Sequence, residues 1–414
     1  MKNRDVRNLL DTMQDNGELP CINIHILRAI GPTLLNRDFN NQIKKLVFGG
    51  KTRVRFSSQS VMKAIRTWRS ERGNIGNQSV HSRYLPEHLS RIIASKDEKY
   101  AELATQVKTT LSKGKELGKL DTIVVYTKND IDAMAEIIIR HYDENPEKLL
   151  KDMQGNKKEK EQKNLWTDVV KELQISASER GLDDMTALKG RMATDNTFGD
   201  TIESAVSVNH AYSVDEWQGD TDFFAATDDT KAMLSFITGE NESVTGGAAM
   251  LDLTDIAANV FYQYANIDTR TLLQNVLRGI DLENKEEVDY AVKRMKRIAA
   301  EFIQDFAMFT PEAKQHSMAS TPEPICMAIT SSKYGRPLSA DKEFVRLVVP
   351  CGDKSTDRIA RSRLVNFINN AQEGAFAIDD YSNILWLENT PEDLELPKNA
   401  TKVTLREVEK YLFG

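Results

Sequence analysis

The sequence has few of the residues that cross-link small domains or hold metals. Only three cysteines occur among its 414 residues, Cys21, Cys326 and Cys351, and none belongs to a CxxC pair. The six histidines do not cluster near them. This pattern argues against a disulfide framework and against a structural zinc centre. We therefore predict a protein without a metal and without a cofactor.

Long apolar runs are also missing. No segment approaches the roughly 20 apolar residues that a membrane helix needs. The polar start MKNRDVRNLLDTMQDNG has no signal-peptide core. With 40% hydrophobic residues and a mean hydropathy of -0.47, the composition is that of a soluble globular protein. The length suits one large domain or two to three ordinary ones. We expect a cytoplasmic protein with no membrane partner.

Charge is present in quantity, but it is unevenly distributed. The whole chain carries a formal net charge of -7. Residues 37–72 nevertheless hold ten Lys and Arg residues and two acids, a local net charge of +8. A concentrated positive region on an acidic protein indicates an anionic partner held at one place, and a nucleic-acid backbone fits best.

The most informative stretch of this region is GGKTRVRFSSQSVMKAIR, residues 49–66. Gly49 and Gly50 free the backbone for close approach. Three cations follow at alternate positions of a predicted strand: Lys51, Arg53 and Arg55. Arg53 and Arg55 have a second interpretation, as solvated cations that protect an edge strand from aggregation.

A predicted helix follows this strand. Ser57 or Ser58 supplies its N-cap, and Gln59 lies in the first turn, where free N–H groups favour an anion. Lys63 and Arg66 fall on the face opposite the apolar side of the helix. Strand, cap and helix together predict a cradle for a phosphate backbone.

The spacing of apolar residues predicts an α+β protein. Apart from two insertions, the elements follow the order β-α-β-β-α-β, which is the ferredoxin-like order of the RNA-binding RRM domain. The strands are predicted at 22–26, 205–212, 259–267 and 325–329, and the second helix at 285–306. Further strands are expected at 344–349 and 384–387. His25 alternates with isoleucines, which predicts a hydrogen-bonded sheet histidine on the RNA-facing side.

Seven segments match, in order, motifs of one known family. They are INIHIL (22–27), LNRD (35–38), FGGKTRVRFSSQS (48–60), GRMAT (190–194), VSVNHAYSVDEW (206–217), NVFYQYANID (259–268) and AKQ (313–315). Together they resemble the CasC-type backbone subunit of the type I-E CRISPR surveillance complex, Cascade. The resemblance spans residues 22 to about 325.

The resemblance implies a right-hand shape, in which an RRM-like palm carries helical fingers and a thumb. The palm corresponds to residues 1–72, 186–212 and, with a C-terminal extension, 257–414. The fingers correspond to 73–185 and the thumb to 213–256. Such a subunit is non-catalytic and grips the backbone of a CRISPR RNA. It stacks with copies of itself into a helical filament beside other Cascade subunits. It displaces one base per subunit and presents the guide for pairing with target DNA in antiviral defence.

Several residues match positions at which the family contacts RNA: Arg37, Lys51, Ser57, Gln59, Lys63 and Arg66. Lys314 and Gln315 of the AKQ motif are added as RNA contacts. Met192, in GRMAT, matches a position that wedges against the bases, and Phe223 and Phe224 match two adjacent thumb aromatics. Met62 departs from the family pattern, because a basic residue is expected there.

Each of these apolar residues has an alternative interpretation. Met192, Phe223 and Phe224 are equally residues that pack into the core of their own subunit, as most methionines and aromatics do. Lys314 and Gln315 are alternatively residues that cap the region after the long helix.

Asp38 requires separate consideration, because related backbone subunits of other CRISPR types cut target RNA with an aspartate after the first strand. Asp38 lies in such a loop, but the sequence places no histidine, lysine or metal-ligand cluster with it. An ion pair with Arg37 or a neighbouring lysine is the predicted role, and RNA cleavage by Asp38 is the alternative.

Overall fold

The computed structural model describes residues 2–71, 78–114, 119–154, 164–193, 198–227, 248–308, 313, 315–377, 381–389 and 394–414. Within these ranges, helices α1 to α14 are Lys2–Asp15, Ser58–Glu71, Leu85–Lys96, Ala101–Leu111, Lys128–Glu144, Pro146–Gln154, Leu165–Glu179, Asp184–Lys189, Thr269–Val276, Lys285–Met308, Gln315–Met318, Asp341–Phe344, Thr356–Glu373 and Val408–Phe413. Strands β1 to β13 are Cys21–Thr33, Lys45–Phe48, Lys51–Phe56, Val80–Ser82, Val124–Tyr126, Val206–Val208, Ala211–Ser213, Thr221–Thr227, Ala248–Asp255, Ala257–Asp268, Cys326–Ser332, Tyr381–Glu388 and Thr401–Lys402.

Nine of these strands form one sheet around β1. The strand order is β13-β12-β11-β1-β10-β7-β3-β2, and β6 also pairs with β10. Strand β1 runs antiparallel to both β10 and β11, and β10 runs antiparallel to β7. Helix α2 lies between β1 and β7 in sequence, and α10 lies between β10 and β11. The predicted α+β class is confirmed, and the four central strands have the ferredoxin-like order.

Side chains of the sheet alternate between two separate cores. On the first face, Ile22, Ile24 and Ile26 of β1 pack with residues of α2, α9 and α10. On the second face, Tyr262 of β10 and Trp386 of β12 pack with residues of α12 and α13. A strand buried on both faces needs apolar residues at nearly every position. Strand β1 meets this demand in part, because nine of its thirteen residues are buried and five of these nine are isoleucine or leucine.

His25 lies on the second face and is the hydrogen-bonded sheet histidine that the sequence predicts, but this face is covered and does not face RNA. The side chain is buried, with Nδ1 2.9 Å from Tyr262 Oη and the ring 5.4 Å from that of Phe367 on α13. Burial lowers the pKa of His25 to about 3, so the imidazole is neutral at pH 7. Helix α13, which comes from the C-terminal part of the chain, covers the face that an RRM leaves open.

A loop from the C-terminal part is fastened onto this face by hydrogen bonds. The amide of Ala340 donates to Tyr262 Oη at 2.7 Å, and the amide of Leu338 donates to Asn23 Oδ1 at 3.1 Å. Tyr212 Oη donates to Asp341 Oδ1 at 2.8 Å, and burial raises the pKa of Tyr212, so the phenol keeps its proton. Residues 344–349 form the end of α12 and a loop, so the strand predicted there is wrong.

The region between α2 and β6 contains a third core. Helices α3 to α7 enclose buried side chains that include Leu89, Leu103, Ile138 and Leu173, while β4 and β5 form a small separate ladder. Farther along, β8 and β9 form a two-stranded hairpin, and residues 228–247 between them lie outside the described ranges. The names fingers and thumb remain a prediction for these two regions. None of the described helices is long and apolar enough to cross a membrane.

A buried ion pair joins α13 to β12. Arg361 donates from Nε to Glu388 Oε1 at 2.6 Å and from Nη2 to Oε2 at 2.8 Å, with both side chains almost fully buried. Trp386 Nε1 donates to the same carboxylate at 2.8 Å. Removing one partner of such a pair leaves the other charge buried and unpaired.

We expect Arg361→Met to lower the free energy of unfolding by about 3–5 kcal/mol, because Glu388 would keep a buried charge without its cation. The matched control is Lys398→Met, which removes the exposed ion pair of Lys398 with Glu373 and should cost less than about 1 kcal/mol. Urea denaturation measures both values. Similar losses in the two variants would contradict the structural role of Arg361.

Candidate nucleic-acid interface

The basic residues of the predicted phosphate cradle that reach the surface begin on β3. The Arg55 side chain is half-buried, and its Nη1 lies 3.4 Å from His210 Nδ1, in the short connection between β6 and β7. The Arg55 amide donates to Lys44 O at 2.9 Å. Burial, followed by the charges of Arg55 and Lys44, lowers the pKa of His210, so this histidine is neutral at pH 7. We call Lys44, Arg55 and His210 the strand cluster.

Arg53, two positions earlier, is not part of this surface, and its predicted phosphate contact is wrong. The residue is fully buried, and burial lowers the pKa of its guanidinium. Nη1 donates to Ser213 O at 2.8 Å and Nη2 to Phe344 O at 3.0 Å. The predicted alternation of β3 is present, but α12 covers the face that was expected to meet RNA. The edge-strand alternative for Arg53 fails for the same reason.

The two glycines serve different purposes. They form the two-residue turn between β2 and β3, with φ of +62° at Gly49 and +76° at Gly50, as the twist of a tight hairpin requires. A Cβ at Gly49 would lie 1.8 Å from Val345 O, whereas one at Gly50 would meet nothing within 4 Å. The close approach at Gly49 is therefore to the protein's own backbone. Lys51, next along, is exposed and forms a 3.2 Å ion pair with Glu216.

Ser57 caps α2 and has little exposed surface. Its Oγ accepts the Ser60 amide at 3.3 Å, and its own amide donates to Asn36 Oδ1 at 3.1 Å. The side chain is buried, so Ser57 positions the helix start and does not present its hydroxyl to solvent. Gln59, one turn in, is exposed. The predicted cap is present, and of Ser57 and Gln59 only Gln59 is accessible from solvent, so its RNA contact stays a prediction.

Helix α2 carries the cations farther along the surface. The Lys63 side chain is exposed, and its ammonium group has no hydrogen-bond or ion-pair partner among the described residues. Arg66 is half-buried and likewise unpaired within the described ranges, and burial lowers its pKa. Met62 packs against the first core. Its departure from the family pattern therefore places an apolar contact where a cation was expected.

The turn after β1 presents Arg37 and positions Asp38. Arg37 is exposed, and its Nη1 donates to Asn41 Oδ1 at 2.5 Å. Asp38 Oδ1 accepts the amides of Asn40 at 2.8 Å and Gln42 at 3.0 Å. The carboxylate therefore holds the turn, and the ion pair predicted for it is absent from the described contacts. Phe39, at the tip, is 96% exposed, a feature that the sequence analysis missed.

The predicted apolar wedges lie on exposed surfaces. Met192 follows α8 and is 82% exposed, which excludes the core interpretation within this chain. Phe223 is 63% exposed and lies opposite Leu253 in the β8–β9 hairpin, so it is not a core residue either. Phe224 is half-buried on the other face of that hairpin.

Two predicted RNA contacts follow the long helix α10. Lys314 lies outside the described residues. Gln315 is the first residue of α11, and its side chain is also outside the description. Both contacts stay predictions. Across the described ranges, no group of three or more His, Cys, Asp or Glu residues is arranged to hold a metal ion.

Two solved structures share this fold over nearly the whole chain. One is a chain of a CRISPR RNA-guided surveillance complex described as pre-nicking. Its TM-score is 0.71 at 21% identity, with 95% of this chain and 99% of that chain covered. The other is a chain of a CRISPR RNA-guided surveillance complex, with a TM-score of 0.64 at 18% identity and the same coverage. The protein therefore has the fold of these surveillance-complex chains.

The sequence establishes the family. The family model Cas_CT1975, described as CT1975-like protein, matches residues 22–410. This chain belongs to that Cas family of CT1975-like proteins. The match extends well past residue 325, where the motifs of the sequence resemblance end, so the C-terminal strands and helices are part of the family fold. No curated protein matches the chain.

Because the backbone of residue 345 occupies the space beside Gly49, we expect Gly49→Ala to destabilise the protein more than Gly50→Ala. Both substitutions place alanine at a positive φ, which costs about 1–2 kcal/mol, but only the first also forces the loop after α12 away from the hairpin. The midpoints of urea denaturation compare the two variants. Equal losses would show that the contact with residue 345 is unimportant.

Proposed function

We propose that this protein is a CasC-type backbone subunit of a type I-E CRISPR surveillance complex and binds the backbone of the CRISPR RNA. The observation that carries the proposal is the row of accessible cations running from the strand cluster to Arg66. It includes Arg55, Lys63 and Arg66, which form no ion pair among the described residues. Unpaired cations on a protein of net charge -7 favour an anionic partner at this surface.

The chemistry of this row suits a guide RNA of any sequence. Arginine and lysine bind phosphate oxygens, which are the same at every nucleotide, and leave base edges free for pairing. The closed second face of the sheet supports this mode of binding. His25 lies beneath α13 and Tyr262 beneath α12, so bases cannot stack on the sheet as they do in an RRM.

The exposed apolar side chains favour a role in base displacement and self-association. Met192 and Phe223 present apolar surface to solvent, and an aromatic ring such as that of Phe223 supports an unstacked base by about 1–3 kcal/mol. We propose that copies of the chain line up along one CRISPR RNA as a filament. One base per subunit would be displaced, and the segments between would pair with target DNA beside other Cascade subunits.

We also propose that the subunit is non-catalytic. The Asp38 carboxylate is engaged with two backbone amides of its own turn, and no described histidine or lysine contacts it. A cleaving aspartate needs a proton-transfer partner or a metal nearby. The position of Asp38 therefore favours a structural role over RNA cleavage.

We expect Arg55→Ala and Lys63→Ala each to weaken the binding of single-stranded RNA, and each variant should do so by the same factor for every RNA sequence. Each should lower the slope of log K against log salt concentration by about 0.7, because one phosphate contact is lost. The matched control is Lys402→Ala, an exposed lysine on β13 at the opposite edge of the sheet from β3. Fluorescence anisotropy at several salt concentrations measures the slopes. Unchanged slopes in both test variants, or binding to one RNA motif only, would contradict the proposal.

When the protein is assembled on guide RNA, we expect complementary RNA to stay intact in the presence of Mg²⁺, because Asp38 lacks a catalytic partner. Gel analysis of labelled target RNA provides the measurement, and Asp38→Asn is the matched variant. Regularly spaced cuts that disappear in Asp38→Asn would establish the cleavage alternative.

A further inference from the structure

Three basic side chains, from α2, β4 and α8, lie near one another, and two of them are in direct contact. Lys189, in the last turn of α8, hydrogen-bonds through Nζ to His81 Nε2 on β4. Arg66 of α2 is close enough for its charge to lower the pKa of both His81 and Lys189. We call Arg66, His81 and Lys189 the helix cluster. The sequence analysis predicted a role for Arg66 alone.

The positive charge of the helix cluster is not balanced from within the described chain. Neither Arg66 nor Lys189 forms an ion pair with a described acid. Asp183 is the acid that acts on Lys189, but it is buried, and its Oδ1 already accepts the amides of Met185 and Thr186. By contrast, Arg191, two residues after Lys189, is balanced by an acid, because it forms a 3.3 Å ion pair with Asp200.

Crowding of cations is unfavourable unless an anion shares the site. Burial first, and then Arg66, lowers the pKa of Lys189 to about 8, while Asp183 partly opposes this effect. Burial, followed by Lys189 and Arg66, lowers the pKa of His81 to about 4. Without a ligand, His81 is therefore neutral at pH 7 and serves as the acceptor for Lys189.

We propose that Arg66, His81 and Lys189 form a seat for one phosphodiester of the bound RNA, separate from the strand cluster. This inference rests on the proposed function. The ligand is a phosphodiester monoanion, which accepts hydrogen bonds from Lys189 and the planar guanidinium of Arg66. Since Met192 lies three residues after Lys189, the seat holds the RNA backbone beside the exposed side chain proposed to displace a base.

A phosphate in this seat links RNA binding to pH. The anion stabilises the protonated form of Lys189, so affinity is greatest while Lys189 is charged and falls as pH rises through about 8. The other groups that face Lys189 do not produce this fall. Between about pH 6.5 and about pH 9.5, the Arg66 guanidinium stays charged, and His81 stays neutral in the free protein.

The test measures binding of the full-length chain to a single-stranded RNA of adenine and cytosine, whose bases do not lose protons in this pH range. For the wild type, affinity should fall as pH rises through about 8. Lys189→Arg keeps its charge, so it should bind as the wild type does at pH 7 and lose the pH dependence. Lys189→Gln should bind roughly tenfold more weakly at pH 7. Its salt slope should be lower by about 0.7.

The matched control is Lys402→Gln, which should keep the affinity, salt slope and pH profile of the wild type. Circular dichroism melting confirms that each variant is folded. If Lys189→Gln keeps the pH profile and salt slope of the wild type while Lys63→Ala weakens binding, the seat is wrong and the proposed function stands. If the wild type binds no RNA at low salt, both are wrong.

Inorganic phosphate provides the second arm. Free phosphate could stabilise the wild type against unfolding but not Lys189→Gln, while Lys189→Gln binds RNA as the wild type does. These two results together would assign the helix cluster to a free anion. That result would overturn the RNA seat. The RNA seat is supported if Lys189→Gln loses both RNA affinity and the pH response. Lys189→Arg should then keep the wild-type affinity at pH 7 and lose only the pH response.

Discussion

Strand β1 must be covered on both faces, and the rest of the structure depends on this constraint. Its isoleucines pack on the helices of the first core, while His25 and Leu27 need a second apolar layer. Helix α13 supplies that layer, and the segment leading to it is hydrogen-bonded onto Tyr262 and Asn23. Covering the sheet removes it as a platform for bases. Ligand contact is thereby left to the β2–β3 end of the sheet and to the outer surface of α2.

The same covering explains why neighbouring cations have different roles. Arg53 and Arg55 share one face of β3, yet Arg53 donates to backbone carbonyls beneath α12, whereas Arg55 remains at the surface beside His210. A buried guanidinium bonded to carbonyl oxygens holds elements together, and an accessible one attracts an anion. The hairpin therefore links the C-terminal layer to the proposed RNA surface, because one strand contributes to both.

Local sequence patterns predicted the parts of the molecule that depend on neighbouring residues. Apolar alternation located β1 and β11, a run rich in aromatic residues located β10, and the serine cap located α2, because these signals act over a few positions. Contacts between distant segments left no such signal. Residues 344–349 alternate like a strand, but Arg363 donates to the carbonyls of residues 343 and 347, and these long-range contacts hold the segment as a loop. His81, His210 and Lys189 each look ordinary in the sequence and become notable only when the fold brings cations to them.

The pairing of β1 has a consequence for biosynthesis. Its neighbours β10 and β11 begin at Ala257 and Cys326, more than 200 residues after β1 ends. At about 5–20 residues per second on the ribosome, β1 waits roughly 10–45 s for its first partner. Throughout that interval a strand rich in isoleucine has two open edges, the condition under which nascent chains aggregate. Production of the intact protein thus depends on protecting this one segment until translation has passed β11.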